Sequence, residues 1–398
     1  MNKDIKKLLL VLVFFAFADG IFYNFEELWM ASNNLSINTI STVLSLCALI
    51  SLSVIFLSSN IIKPNKLKKF VVILMIIKII LLLLLFVLNN SGLNILIKFI
   101  IMIEFAIDAE VTTSIYPLMT LIEKNDKTYA IKGLLYDMFY YCGVILVGII
   151  LGKTILSYTI DYNTYCIMSA VFMIIATIIL INIKMDKYVV LEKDNTNNDI
   201  LFKLIKEIKK DKISIYYLLF LLFGNIAYYT LMGILLTILT KELEFAPSMA
   251  STLKVGIGIF AVLLGTLILM KLTMKNNYAN IAVKYVGRLI TYLFAIVFYS
   301  KITVLIAILY TGLTSSAYAH ITDAPYINRF DSESQLAFAN LREMMGYFSR
   351  AIGIFLCGVC FVVSLRLNFI VASLSMCLTI TFAFLALHNL NIEKRKNK

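Results

Sequence analysis

Apolar stretches of about twenty residues recur along the chain, each closed by a short polar segment, and this is the pattern of helices that cross a bilayer. Twelve such helices are predicted, over 8–30, 37–62, 70–88, 93–118, 129–151, 162–183, 213–240, 247–270, 281–300, 302–326, 335–363 and 367–388. The longest polar interruption, 184–212, divides them six and six. The expected domains are therefore an N-terminal bundle (1–183), a connector (184–212) and a C-terminal bundle (213–398). Within the connector, Ile200, Leu201, Leu204, Ile205 and Ile208 form one apolar stripe opposite Lys203, Lys206, Lys209 and Lys210, the pattern of an amphipathic helix lying on an anionic leaflet.

Charge placement gives an independent check on this map, because cytoplasmic loops carry the excess of Lys and Arg. Clusters at Lys3 to Lys7, Lys63 to Lys69, Lys124 and Lys127, Lys184 to Lys212, Lys271 and Lys275, and Lys394 to Lys398 all fall on one side. The other side holds Lys153, Lys241, Lys301 and Arg366. Both termini are expected in the cytoplasm of a bacterial cell, with the chain a multi-pass monomer in the plasma membrane. The net charge of +12 is accounted for by this topology rather than by a nucleic-acid surface. A chain that is 61% hydrophobic and 15% charged over 398 residues lies well outside the range of soluble globules. The apolar run after Lys7 resembles a signal peptide, but it continues to about Met30, lacks a small-residue cleavage site and reads as a retained helix. All six cysteines fall within spans. Cys357 and Cys360 sit mid-helix with no histidine nearby, so neither a metal site nor a cofactor is expected.

The candidate chemistry lies in acids placed where oil is expected. Asp19 sits about 16 Å from the start of the first apolar run, near the middle of a ~30 Å hydrocarbon layer. Tyr23 and Glu26 follow at i+4 and i+7 on the same face. Glu104 in the fourth span reaches a similar depth, with Asp108 one turn further on. Repulsion and desolvation favour a proton on at least one of these carboxyls, which is what proton coupling requires. The alternative is that each acid is neutralised by a fixed cation such as Lys78, Lys98 or Lys132. Asp19, Glu104 and Asp108 are thus the expected proton-coupling or substrate-binding groups, and Tyr23, Asn225 and Tyr228 the expected cavity lining. Lys132, Asp137, Asp323 and Arg342 are expected at a gate or the inner mouth. His320 lies close to Asp323. Arg342 and Glu343 are adjacent and expected to point apart, and Arg350 is the deeper candidate for an anionic group.

The two halves show a weak repeat. Lys132, Gly143 and Gly148 match Arg342, Gly353 and Gly358 at a constant offset, and Gly20 matches Gly224 at a slightly different one. Six plus six helices, a long connector, parallel halves and a mid-membrane acid in the first helix together resemble the major facilitator superfamily of secondary transporters. The resemblance implies an all-α polytopic protein of twelve transmembrane helices, in two six-helix bundles related by a pseudo-two-fold along the membrane normal. It also implies a substrate site near the midplane lined by the first, fourth, seventh and tenth helices. The family's loop motif between the second and third helices is degenerate here. Lys63 and Lys66 keep its basic character, but Ser58 and Asn65 stand where glycines are usual and Ile62 where the aspartate is usual.

The resulting expectation is a proton-coupled carrier working by alternating access, exporting a cationic or amphipathic small molecule across the lipid bilayer. Metabolite uptake is the alternative within that class. Outside it stand a lipid-modifying membrane enzyme, which would need more clustered His, Cys or acids than this chain has, and a non-transporting sensor or immunity protein.

Overall fold

The computed structural model describes residues 3–23, 26–32, 35–61, 66–89, 95–96, 98–104, 106–107, 138–143, 162–184, 200–264, 277–315, 326, 329 and 332–396. Among the described residues every regular element is helical: α1 (Lys3–Tyr23), α2 (Glu26–Ser32), α3 (Ile37–Ile61), α4 (Leu67–Asn89), α5 (Tyr162–Ile181), α6 (Ile200–Ile208), α7 (Lys212–Met232) and α8 (Leu235–Lys241). They continue with α9 (Pro247–Leu264), α10 (Asn277–Ile281), a π-helical segment (Ala282–Val286), α11 (Gly287–Val297), α12 (Lys301–Leu313), α13 (Ser332–Val363) and α14 (Leu365–Lys396). Among the described residues, six helical stretches are long and apolar enough to cross a membrane. The chain is a multi-pass membrane protein.

The seventh expected span is divided at Gly233 and Ile234 into α7 and α8. The breaks near Ser300 and Arg366 are capped: Ser300 starts α12 with a capping box to Thr303, and the Ser364 hydroxyl accepts from Leu367 N–H at 3.3 Å.

Two compact units form. The first comprises Met1–Asn34, Leu46–Asn198 and Ala246–Ile259; the second comprises Leu35–Ser45, Asp199–Phe245 and Phe260–Lys398. In the first, α1 packs on α5 and α4 on α5. Ser169 on α5 donates to Ala18 O at 2.8 Å, and Phe17 meets Phe172 and Phe139 edge to face or tilted. Gly20 lets the backbone at Tyr140 come very close, since a Cβ there would lie 1.6 Å from Tyr140 O, and a Cβ on Gly143 would lie 2.8 Å from Phe17 O. This is the small-residue packing by which membrane helices approach without a hydrophobic drive.

In the second unit, α7 packs on α14 and α13. Fully buried Asn368 ties three helices by donating to Thr230 O at 2.9 Å and Cys357 O at 3.0 Å. A Cβ on Gly353 would meet Tyr229 Cβ at 2.7 Å and Ile226 O at 3.1 Å. Gly143 against Phe17 and Gly353 against Ile226 are therefore the same crossing made once in each unit, the physical reason for that repeat. The Gly20 and Gly224 match has no such basis, because Gly224 faces the Thr379 side chain instead.

The connector helix forms as expected, but its apolar stripe is not left for lipid. Leu204 and Ile208 are buried and α6 packs on α13 and α7, while Lys206, Lys209 and Lys210 stay exposed. Just beyond, Asp211 caps α7 by accepting from the Ile213 and Ser214 N–H groups, both at 3.2 Å. Arg329 Nη1 donates to Asp211 Oδ2 at 2.7 Å, while its Nε and Nη2 fork onto Glu393 at 2.9 and 2.8 Å. Burial works to raise the Asp211 carboxyl, yet hydrogen bonds from Arg329 and Ser214 and the Arg329 charge hold it below the usual carboxylate range. Because the folded value is the lower one, the contribution to stability is present at neutral pH and fades as pH falls through about 4 and below. Arg329→Gln should accordingly lower the thermal midpoint at pH 7, and the gap to wild type should close in acid; a gap independent of pH would contradict this.

Candidate functional site

Two polar centres stand out, one in each unit. In the first, α4 is a membrane helix turned inside out. Ile73, Ile76, Ile80, Leu83 and Val87 are exposed on one face, while Lys78, fully buried, lies on the opposite face with Val71, Leu74, Met75 and Leu82. Lys78 stands about 16 Å along α4 from Leu67, close to the middle of the hydrocarbon layer.

A charge at that depth needs a partner, and Lys78 has two. Its Nζ donates to Asp19 Oδ1 at 2.6 Å and lies 3.4 Å from Glu104 Oε1. All three residues are fully buried. The other Glu104 oxygen, Oε2, accepts from the Tyr23 hydroxyl at 2.6 Å. The ammonium also sits over the Phe15 and Tyr23 rings, 5.0 and 5.4 Å from their centroids. Helical spacing places Asp19 and Tyr23 one turn apart on α1, so one helix face holds Lys78 through Asp19 and Glu104 through Tyr23.

The charge of Asp19 is met directly by a lysine. The fixed-cation alternative holds for Asp19. Glu104 shares that same ammonium at the longer distance. Glu26, expected on the face of Asp19 and Tyr23, and its neighbour Glu27 are both buried at the start of α2. Asp108, Lys132, Asp137 and Asp323, together with His320, lie outside the described residues.

The second centre is a cavity of about 220 Å³ between α7, the π-helical segment and α13. Asn225 and Tyr229 line it from α7, Lys284 and Tyr285 from the π segment, and Arg342, Glu343, Gly346, Tyr347 and Arg350 from α13. Asn225 thus lies where a cavity is found. Tyr228 instead stacks against buried Arg288, whose guanidinium carbon is 5.5 Å from its ring centroid. Arg342 and Glu343 are joined rather than pointing apart, with Nη1 to Oε1 at 2.6 Å. Neighbours on a helix diverge at their Cα atoms, but the long arginine chain folds back across that angle.

Sequence reasoning missed Lys284 and Arg288. Their signal was available, since two cations at i and i+4 within an apolar segment share one helical face. The π segment that carries Lys284 is held by a specific contact. Gly287 has no side chain, so the Tyr310 hydroxyl passes over it and donates to Val283 O at 2.6 Å; a Cβ on Gly287 would lie 2.0 Å from that hydroxyl. Arg288 adds donations to Thr314 Oγ1 at 2.8 Å and Thr311 O at 2.9 Å, tying α11 to α12. Among the described residues no group of three or more His, Cys, Asp or Glu side chains could hold a metal ion.

The fold is similar to several solved transporter structures. One is a bacterial homologue of the iron transporter ferroportin in an outward-facing state, with a TM-score of 0.71 at 10% identity over 97% of this chain and 100% of that one. Another is FucP, a major facilitator superfamily transporter in the outward conformation, with a TM-score of 0.69 at 10% identity over 97% of this chain and 99% of that one. A third is the human organic anion transporter MFSD10, with a TM-score of 0.67 at 9% identity over 96% and 100%. No protein-family model matches the sequence, and no curated protein sequence does.

Proposed function

Starting from the major facilitator superfamily fold that this chain has, we propose that the protein is a secondary active transporter whose proton-responsive element is the Asp19–Lys78–Glu104 cluster. The observation that carries the reading is that two carboxyls are gathered on one ammonium with all three side chains fully buried. Two carboxylates drawn to one ammonium disfavour each other's ionisation, and burial adds to this, so a proton on one of them is favoured. Asp19 is the poorer acceptor, because it holds the shorter contact to Lys78. Glu104 is the better one, being further from the ammonium and keeping the Tyr23 hydroxyl on its other oxygen.

With the proton on Glu104, Lys78 and Asp19 balance each other and the cluster is neutral. Loss of that proton leaves a charge that is tolerated only when water reaches the site. Proton release is thereby linked to opening of the unit toward water, the link that an alternating-access cycle needs. Fold similarity to transporters of sugars, nucleosides and organic anions supports a small-molecule cargo.

The test is transport in sealed proteoliposomes under an imposed pH gradient, with a panel of labelled sugars, nucleosides, amino acids and organic anions. At least one solute should accumulate or be expelled against its gradient, and a protonophore should abolish the effect. Equilibration that ignores the pH gradient for every solute would contradict the reading. Reversing the gradient reads the direction of movement.

A further inference from the structure

We propose that the cavity of the second unit is a binding site for a small aromatic organic anion, a carboxylate or phosphate attached to a planar ring. This deepens the transporter reading and rests on it for the word substrate, though not for binding itself. The lining carries Lys284, Arg342 and Arg350 against the single acid Glu343, a net of two positive charges. Arg342 is met by Glu343 at 2.6 Å. Lys284 and Arg350 each lie over a ring of the same wall, Lys284 5.1 Å from the Tyr285 centroid and Arg350 5.2 Å from Tyr229.

This arrangement offers two things together. A guanidinium fork and an ammonium lining one cavity favour a bidentate anionic head. Tyrosine faces already stacked with cations accept a planar ring alongside them. At about 220 Å³ the space falls below the 300–1,000 Å³ typical of drug-sized ligands, so the anion is small.

Two further features show a built site. Lys284 is buried and is carried on a π-helical turn, a rare geometry frequent at functional sites, which the Tyr310 to Val283 hydrogen bond holds in place. Gly346 leaves the floor open, because a Cβ there would touch nothing nearer than Asn225 Nδ2 at 3.9 Å. A positive cavity also reverses the cationic cargo expected from the acids of the first half. Those acids meet Lys78, whereas Lys284, Arg342 and Arg350 line a cavity.

Thermal unfolding of the purified full chain in detergent at neutral pH, titrated with five probes, tests the proposal. Benzoate and phenyl phosphate should raise the midpoint saturably, whereas benzamide and benzylamine, similar in shape but neutral and cationic, should not. Inorganic phosphate distinguishes an anion site that ignores the ring; a shift equal to that of phenyl phosphate would overturn the aromatic part of the proposal. Arg350→Gln should weaken benzoate binding by about tenfold or more, the loss expected for a charge-assisted contact.

Gly346→Leu keeps every charge, fills the floor and should abolish the shift while unfolding remains cooperative without ligand. Equal shifts with benzamide and benzoate, no saturable shift with either anion, or undiminished binding in Gly346→Leu would overturn the proposal. Anion-selective shifts without gradient-driven transport would remove the transport reading and leave this site standing. Transport without anion-selective shifts would do the reverse.

Discussion

Replacing Lys78 with methionine should destabilise the first unit by about 3–5 kcal/mol, the range found when one member of a buried ion pair is removed. The variant leaves Asp19 and Glu104 in an interior where both are fully buried, with the ammonium that served both gone. Each could escape the cost by taking a proton, at the expense of a carboxyl held neutral. Adding Asp19→Asn to Lys78→Met should therefore recover much of the loss, because Glu104 with its Tyr23 hydrogen bond then remains as the single acid. Thermal unfolding in detergent reads both. A Lys78→Met protein that unfolds at the wild-type temperature, or a double variant less stable than the single one, would show that charge balance does not govern this site.

The second large effect concerns work rather than stability. A carrier that moves one proton per solute can sustain at most about tenfold accumulation for each unit of pH gradient, since one unit is worth about 1.4 kcal/mol. Glu104→Gln keeps the size and the capacity to accept from Tyr23 but cannot gain or lose a proton. Accumulation should fall to a ratio of about one, with solute exchange between equal pH compartments preserved. Asp19→Asn should act differently. It loosens Lys78, which then has Glu104 as the carboxylate beside it, so the cluster is neutral without any proton and transport loses its pH dependence through charge balance. Undiminished gradient-driven accumulation in Glu104→Gln would remove the proton from this residue.

Much of this site could be read before any fold was known, and the unread parts have physical causes. Asp19 and Glu104 announced themselves by depth alone, because a carboxyl mid-bilayer is costly wherever it points. The partner did not. Lys78 is 59 positions from Asp19, and hydropathy weighs a lysine in an apolar run without saying which face of the helix it occupies. Lys284 and Arg288 share a helical face in the sequence, but spacing alone does not tell a cavity-lining cation from one that ties helices together, as Arg288 does. The π turn that aims Lys284 has no sequence signature beyond Gly287, which matters only once Tyr310 is seen crossing it.

Local amphipathicity foretold α6, yet a stripe specifies only that something apolar covers it, and protein does so here rather than lipid. The glycine repeat was legible where both halves use it for the same crossing, at Gly143 and Gly353. It misled at Gly224, where the glycine serves a contact with α14 that Gly20 does not share.

The proton proposed on Glu104 has a direct spectroscopic signature. Infrared difference spectroscopy on the protein in lipid, comparing light and heavy water, reads protonated carboxyl groups directly. At neutral pH the wild-type protein should show a buried protonated-carboxyl stretch that disappears in Glu104→Gln and persists in the conservative variant Tyr23→Phe, displaced by the lost hydrogen bond. A wild-type spectrum without such a band, or one that survives unchanged in Glu104→Gln, would contradict the account.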